Sequence, residues 1–258
     1  MDNAILIGLS RQMALHRELE VVANNIANIN TTGYKADGAI FEEYLSPSAS
    51  HGQFQGGDQR LSYVHDRATW LDFKPGPIQL TGNPLDVAIE GDAFLVVQTP
   101  RGERYTRNGA LQLNATGRLV TNEGYEVQGD GGAIQLQVND NQIAIAEDGT
   151  IRVHEGADNK SDALRGKLQL VRFDQAALLQ KDGSSLFVAP AGAQSQAPQA
   201  PQRWRVVQGG LEQSNVRGVV EMSRMIEITR SYTAVAGVLQ QHSDMRRNAI
   251  DKLAEVPA

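Results

Sequence analysis

Asp86, Glu90 and Asp92 stand close together in the chain, and two carboxylates facing each other across a cleft are the equipment of glycoside hydrolysis. That chemistry needs one acid held protonated opposite an ionised partner. Here Leu85, Val87 and Ile89 alternate through the same stretch and lead into the turn at Gly91-Asp92, so the carboxylates read as solvated or turn-capping groups on a strand. A peptidoglycan hydrolase acting through Asp86 and Asp92 is kept as the alternative of another class. His16, His51, His65, His154 and His242 are scattered without the spacing of a metal site. His16 and His242 fall on helical segments, where polar seam residues that fix register are expected. The chain has no cysteine, which excludes disulfide and thiol chemistry. No nucleophile elbow, phosphate loop or dinucleotide fingerprint occurs. Glu147-Asp148-Gly149 and Lys181-Asp182-Gly183 lack the other ligands of a calcium loop. The reading is a chain without catalytic residues, metal or cofactor.

With 258 residues, 41% hydrophobic and 21% charged, the composition is that of a globular chain able to bury one large or two modest cores. Aromatics make up only 5% and glycines number 25, so the core is expected to be aliphatic and the chain rich in turns. A net charge of −6 without a Lys/Arg run argues against nucleic acid as a partner. No apolar run approaches the ~20 residues of a membrane span, so no membrane insertion is expected. The start, Met1 to Gly8, lacks the basic and apolar regions of a cleaved signal peptide. It fits either a cytoplasmic protein or export by a route that leaves no cleaved signal.

The elements begin and end with helices. Residues 3 to 29 carry Leu15, Leu19, Val22, Ile26 and Ile29 at alternating spacings of four and three, with Ile5, Leu9 and Met13 apolar upstream and Gly33 as a stop. Residues 216 to 253 repeat the pattern with Met225, Ile228, Tyr232, Val235, Leu239 and His242, then Ala249 and Leu253. That alternation is the heptad of one helix laid on another, and Ser214 and Asn215 are placed to cap the second helix. Asn24, Asn25, Asn28 and Asn30 crowd the end of the first helix, although Asn is a mediocre helix former. Asn24 and Asn28 share a face, where amides can pair across an interface between identical subunits. The expected assembly interface is therefore Leu15, Leu19, Val22, Ile26 and Ile29 with Asn24, Asn25 and Asn28, against Met225, Ile228, Tyr232, Val235, Leu239 and Leu253.

Between the helices the period changes. Phe41, Tyr44 and Leu45 suggest a short helix, His51 to Asp58 a Gly/Gln-rich loop, and Leu61 to Phe73 connecting strands. From Asn83 to Phe187 short alternating runs are punctuated by turn dipeptides such as Asn108-Gly109 and Glu123-Gly124, the pattern of an antiparallel β sandwich or barrel. Ala189 to Gln202 is low-complexity and reads as a surface loop or linker. The fold class is α+β. A discontinuous, coiled-coil-like stem comes from residues 1–35 and 209–258, with a connecting segment 36–82 and an all-β domain 83–208.

Four stretches carry a resemblance over the whole length. Ala23 to Lys35 resembles the N-terminal signature of the flagellar rod and hook family of axial proteins, and Gly82 to Phe94 its central motif. Tyr105-Thr106-Arg107-Asn108-Gly109 with Gly117 to Thr121 resembles the next, and Gly210 to Val216 with Glu221-Met222 and Met225-Ile226 the C-terminal one. Ala93, where the distal-rod and hook pattern has a second glycine, and the ending Ile250-Asp251-Lys252-Leu253 resemble the proximal-rod type. A distal-rod or hook subunit is the alternative within the family. The resemblance implies a structural, non-enzymatic subunit of the periplasm-spanning rod of the flagellar basal body. It implies passage through the flagellar type III export apparatus without a cleaved signal, and partners that are copies of itself and other rod proteins. It also implies that both chain ends line the export channel while the β domain faces outward.

Overall fold

The computed structural model describes residues 2–46, 61–137, 140–155, 161–183, 185–190, 195–196 and 204–254. Helix α1 runs Asp2–Ala27 and helix α2 Gly218–Ala254, so both ends of the chain are helical, as their heptad spacing predicts. At 1.5 Å per residue α2 is roughly 55 Å long. Among the described residues everything regular between them is extended except one turn of 3-10 helix at Ala176–Leu178, and the fold class is α+β. The loop expected over His51 to Asp58 and most of that expected over Ala189 to Gln202 lie outside the described residues.

The chain divides into two compact units, the first made of residues 1–27, 37–70 and 217–258, the second of 28–36 and 71–216. The first holds α1, α2 and the hairpin of strands Asp37–Ser46 and Leu61–Leu71. Phe41, Tyr44 and Leu45, expected to be helical, are therefore strand residues. Their i, i+3, i+4 spacing reads as helical, and pairing with Leu61–Leu71 overrides it.

In the second unit every strand pairing among the described residues is antiparallel. Strand Ala93–Thr99 lies at its centre. It pairs with Gly102–Thr106 (Leu95 opposite Thr106), with Glu126–Gly129 (Val97 opposite Val127) and with Leu170–Phe173 (Leu95 opposite Leu170). Successive side chains of a strand point to opposite faces, and this strand is buried on both. Leu95 and Val97 join the larger aliphatic core with Val87, Ile89, Leu119, Val127 and Ile151. Phe94 and Val96 join a second core with Tyr105, Val171, Phe173 and Phe187, where the Phe94 ring meets Phe173 and Phe187 edge-on with centroids 5.9 Å apart. Four of the chain's aromatics, Phe94, Tyr105, Phe173 and Phe187, thus gather in this second core. A separate three-stranded sheet, Asp140–Ile145, Thr150–Glu155 and Ser161–Lys167, sends Ile145, Ile151 and Val153 into the aliphatic core.

Gly109 is fixed by close approach of another backbone segment. A Cβ on Gly109 would stand 1.7 Å from the Val87 carbonyl oxygen, because Val87 N donates to Gly109 O at 2.9 Å. Gly109→Ala drives backbone into backbone and is expected to cost about 3 kcal/mol or more, which a shift in the denaturant midpoint will show. Gly33, expected to stop α1, instead follows it by a short turn. Gly33 has φ +69°, and its N–H donates to Glu212 O at 2.8 Å.

Candidate functional site

In the first unit the two helices meet along the stripes that their sequences display. Leu15, Val22 and Ile228 are buried together, with Leu19, Ile26, Met225, Tyr232 and Val235 packed around them. A Cβ on Gly8 would lie 3.2 Å from Leu239 Cγ, and Arg224 donates to Glu18 at 2.7 Å. As numbers rise along α1 they fall along α2, so the pair is antiparallel. Most of the residues expected at an assembly interface are therefore brought together inside one chain. Leu253 lies on α2, its side chain outside the described ones, and Ile29 is half-buried beyond the end of α1.

The asparagines do separate jobs. Asn25 is buried, donates to Asp37 O at 2.9 Å and accepts from Asp37 N at 2.9 Å. Its amide thus completes the backbone hydrogen bonding at the first residue of the hairpin, as a neighbouring strand would. Asn28 accepts from Thr31 Oγ1 at 3.1 Å in the turn after α1, and Asn24 is exposed. Asn25→Ala leaves a buried N–H and C=O without their partner and is expected to cost about 1–3 kcal/mol, read as a lower melting temperature of the full chain. His16, expected in the seam, is instead exposed beside Glu20 at 3.4 Å.

The second unit contains a buried charge node that sequence reasoning did not single out. Lys35 Nζ donates to Glu212 Oε1 at 2.6 Å, with both side chains 1% exposed. Arg107 Nη1 donates to Glu212 Oε2 at 3.3 Å and to Ile89 O at 3.1 Å, and its Nη2 to Gly91 O. Lys35 also donates to Lys74 O at 2.9 Å, and Gly76 N to Glu212 Oε1 at 2.9 Å. The guanidinium carbon of Arg107 lies 4.9 Å from the centre of the Phe94 ring. Burial lowers both Lys35 and Arg107 from their ordinary values, and the Glu212 carboxylate opposes the shift in each. Two cations on one carboxylate survive in the interior because the Lys74, Ile89 and Gly91 carbonyl oxygens also accept from them, although Arg107 Nε is buried without a hydrogen-bond partner.

Asn215, expected to cap α2, does something else. Its Oδ1 accepts from Ala36 N at 2.8 Å and its Nδ2 donates to Asp72 O at 2.7 Å and Lys74 O at 3.1 Å. Ser214 Oγ accepts from Val216 N at 3.3 Å. Lys181 donates to Lys35 O at 2.8 Å and stands 3.8 Å from the Tyr34 ring centre. Three chain segments around Lys35, Lys74 and Glu212 are thus tied by side chains as well as by backbone bonds such as Asp72 N to Ala36 O at 2.9 Å. The available signal was position: Lys35, Arg107, Glu212 and Asn215 all stand within the stretches that carry the family resemblance.

Of the carboxylates considered for hydrolysis, Asp86 and Glu90 are occupied structurally. Asp86 accepts from Thr81 Oγ1 at 2.6 Å and Asn83 Nδ2 at 3.0 Å, closing the turn before its strand. Glu90 is paired with Arg205, whose hydrogen bond holds its carboxyl below the usual range. Among the described residues no group of His, Asp and Glu is placed to hold a metal, and no helix is long and apolar enough to cross a membrane.

Comparison with known proteins yields three matching family models. They are the flagella basal body rod protein model over residues 5–35, the flagellar hook protein FlgE/F/G D1 domain over 88–153, and the flagellar basal body rod FlgEFG protein C-terminal model over 207–252. The chain is 37% identical to the flagellar basal-body rod protein FlgF of Caulobacter vibrioides, across 99% of this chain and 100% of that one. It is 33% identical to the FlgF of Mesorhizobium japonicum, across 98% of both chains. It is 32% identical to the flagellar basal-body rod protein FlgG of Borreliella burgdorferi, across 95% of this chain and 96% of the relative.

Proposed function

Because the chain belongs to the flagellar basal-body rod protein family, we propose that its two terminal helices form a coiled-coil-like stem through which it stacks in the proximal rod. It is a structural subunit of the basal body and not an enzyme. In this reading copies of the stem assemble helically into a drive shaft that transmits torque and encloses an export channel. The subunit spans the periplasm as part of that shaft, reaches it through the flagellar type III apparatus without a cleaved signal, and contacts other rod proteins above and below. Residues 83–208 form the outer domain, and residues 1–35 with 209–258 the stem.

The observation that supports this most is the packing of α1 on α2 along Leu15, Val22 and Ile228, which gives a long helix pair made from both ends of one chain. Long packed helices supply the stiffness that a shaft requires, and repeated head-to-tail contacts build an open helix rather than a closed ring. Imaging isolated basal bodies that carry a tagged copy of the chain tests the reading. Density for the tag along the proximal rod is expected, and its absence from the basal body would overturn the proposal. Against the hydrolase alternative stands the use of Asp86 by Thr81 and Asn83.

A further inference from the structure

The chain carries the residues of a reaction that a protein performs on itself. Where glycine follows asparagine or aspartate, the glycine backbone nitrogen can attack the side-chain carbonyl carbon. A C–N bond closes a five-membered imide, and the amide proton leaves with the side-chain group, as ammonia from Asn or as water from a protonated Asp. Water then opens the imide at either carbonyl. Opening at the backbone carbonyl leaves isoaspartate, with the main chain routed through Cβ and Cγ. Glycine favours the attack because no Cβ of its own shields the nitrogen. The sequence offers one Asn-Gly pair, at Asn108, and four Asp-Gly pairs, at Asp37, Asp130, Asp148 and Asp182.

Attack needs the two atoms brought to about 3–3.5 Å in the right orientation, and four of the five pairs are held out of it. Asn108 is the most reactive type by sequence. Yet its Oδ1 accepts from Ala110 N at 3.1 Å and its own N–H donates to Thr106 Oγ1 at 3.0 Å, and Gly109 is buried with its backbone against Val87. Asp37 has both backbone groups bonded to Asn25, and a Cβ on Gly38 would meet the Trp70 ring. Asp148 accepts from Thr150 N at 3.1 Å and Thr150 Oγ1 at 2.7 Å, while Gly149 N donates to Ala146 O at 2.9 Å. Asp182 is clasped by Arg104 at 2.7 Å and Arg101 at 2.8 Å. The Arg104 hydrogen bond holds its carboxyl below the usual range, in the ionised form that has no hydroxyl to lose.

Asp130 and Gly131 differ from all four. They form the tip of a hairpin between strands Glu126–Gly129 and Gly132–Ala133, where Gly129 pairs with Gly132. Both residues are exposed. Asp130 N donates to Lys167 O at 3.0 Å, which anchors the backbone just ahead of the side chain. Among the described residues neither the Asp130 carboxylate nor Gly131 N has a hydrogen-bond partner. A Cβ on Gly131 would meet nothing within 4 Å, so the tip has room to turn its nitrogen onto the carboxyl carbon. We propose that Asp130–Gly131 is the site at which this chain isomerises spontaneously to isoaspartate, and that the fold, not the dipeptide alone, selects it. The inference is independent of the rod-subunit reading above.

The test ages the purified full chain at neutral pH and asks where isoaspartate accumulates. A carboxyl methyltransferase specific for isoaspartate, supplied with a labelled sulfonium methyl donor, is the probe, and fragment masses of the labelled peptides assign the position. Label at Asp130 is expected to exceed that at each other pair about tenfold or more, the ratio that ~1.4 kcal/mol of barrier gives. Label that is spread evenly over the five pairs, greatest at Asn108, or absent would overturn the proposal. Gly131→Ala supplies the second arm. Its Cβ enters open space, and the positive φ of this turn belongs to Gly132, at +103°, so the variant is expected to melt with the unaltered chain. Label at Asp130 should fall about tenfold, because the new Cβ crowds the attacking nitrogen. An unchanged label would contradict attack by Gly131 N. Ageing the chain unfolded in urea separates fold from sequence. There Asn108, released from Thr106 and Ala110, is expected to overtake Asp130, and an unchanged order would overturn selection by the fold.

Discussion

Glu212→Gln is expected to destabilise the full chain by about 3–5 kcal/mol, the usual loss when one partner of a buried ion pair is removed. At roughly 2–4 °C per kcal/mol for a chain of this size, the melting temperature should fall by about 10 °C. The amide fits the same space but leaves Lys35 and Arg107 as two buried cations without the carboxylate that pairs with both. It also weakens the acceptor for Gly76 N. Lys35→Met combined with Glu212→Gln removes one cation with the anion, so the double variant should lose less than the two single losses added. The pH dependence has a definite sign. Burial lowers Lys35 in the folded chain relative to its ordinary value, so over that window the unfolded chain binds more protons and stability rises with pH. Glu212→Gln should therefore recover part of its loss as the pH is raised toward the ordinary lysine range. A loss under about 1 kcal/mol would mean that the carbonyl ligands alone hold the node.

Val22→Asp is expected to have an effect of similar size in the other unit. Val22 is 0% exposed at the centre of the seam, among apolar side chains. Burying an unpaired charge belongs to the rare class of substitutions that cost about 4 kcal/mol or more. The helices must part or the carboxylate must stay protonated. Far-ultraviolet circular dichroism should show a loss of helix, while a protease-resistant fragment retains the strands of the second unit. Cells carrying the variant as their sole copy should not swim. Leu19→Asp should act in the same direction but less strongly, because Leu19 is only partly buried.

Both helices, their boundaries to within a few residues and the antiparallel character of the middle were legible in the sequence. Each depends on a period that repeats many times, and repetition is what a pattern argument reads well. The hairpin at Asp37–Ser46 was not legible, because Phe41, Tyr44 and Leu45 carry a helical spacing that strand pairing overrides. The charge node was hidden for a different reason. Lys35 and Glu212 are 177 residues apart in the chain, and nothing local distinguishes a lysine bound for the interior from a solvated one. The same limit applied to Asn25 and Asn215. Their amides serve backbone groups of distant segments, whereas spacing alone suggested an interface for the first and a helix cap for the second. Leu15, Val22 and Ile228 of the two stripes are buried together, but sequence cannot say whether the facing helix belongs to the same chain. Heptads look alike in both cases.

That last distinction is the central claim, and one cross-link addresses it most directly. Gly8→Cys with Leu239→Cys places two sulfurs where a Cβ on Gly8 would stand 3.2 Å from Leu239 Cγ, within reach of a disulfide, in a chain that has no other cysteine. Oxidised in isolated basal bodies and run without reductant, the variant should migrate as a single chain closed into a loop. Linked dimers and longer species in its place would show that the helices pair between copies, and would contradict the intrachain stem.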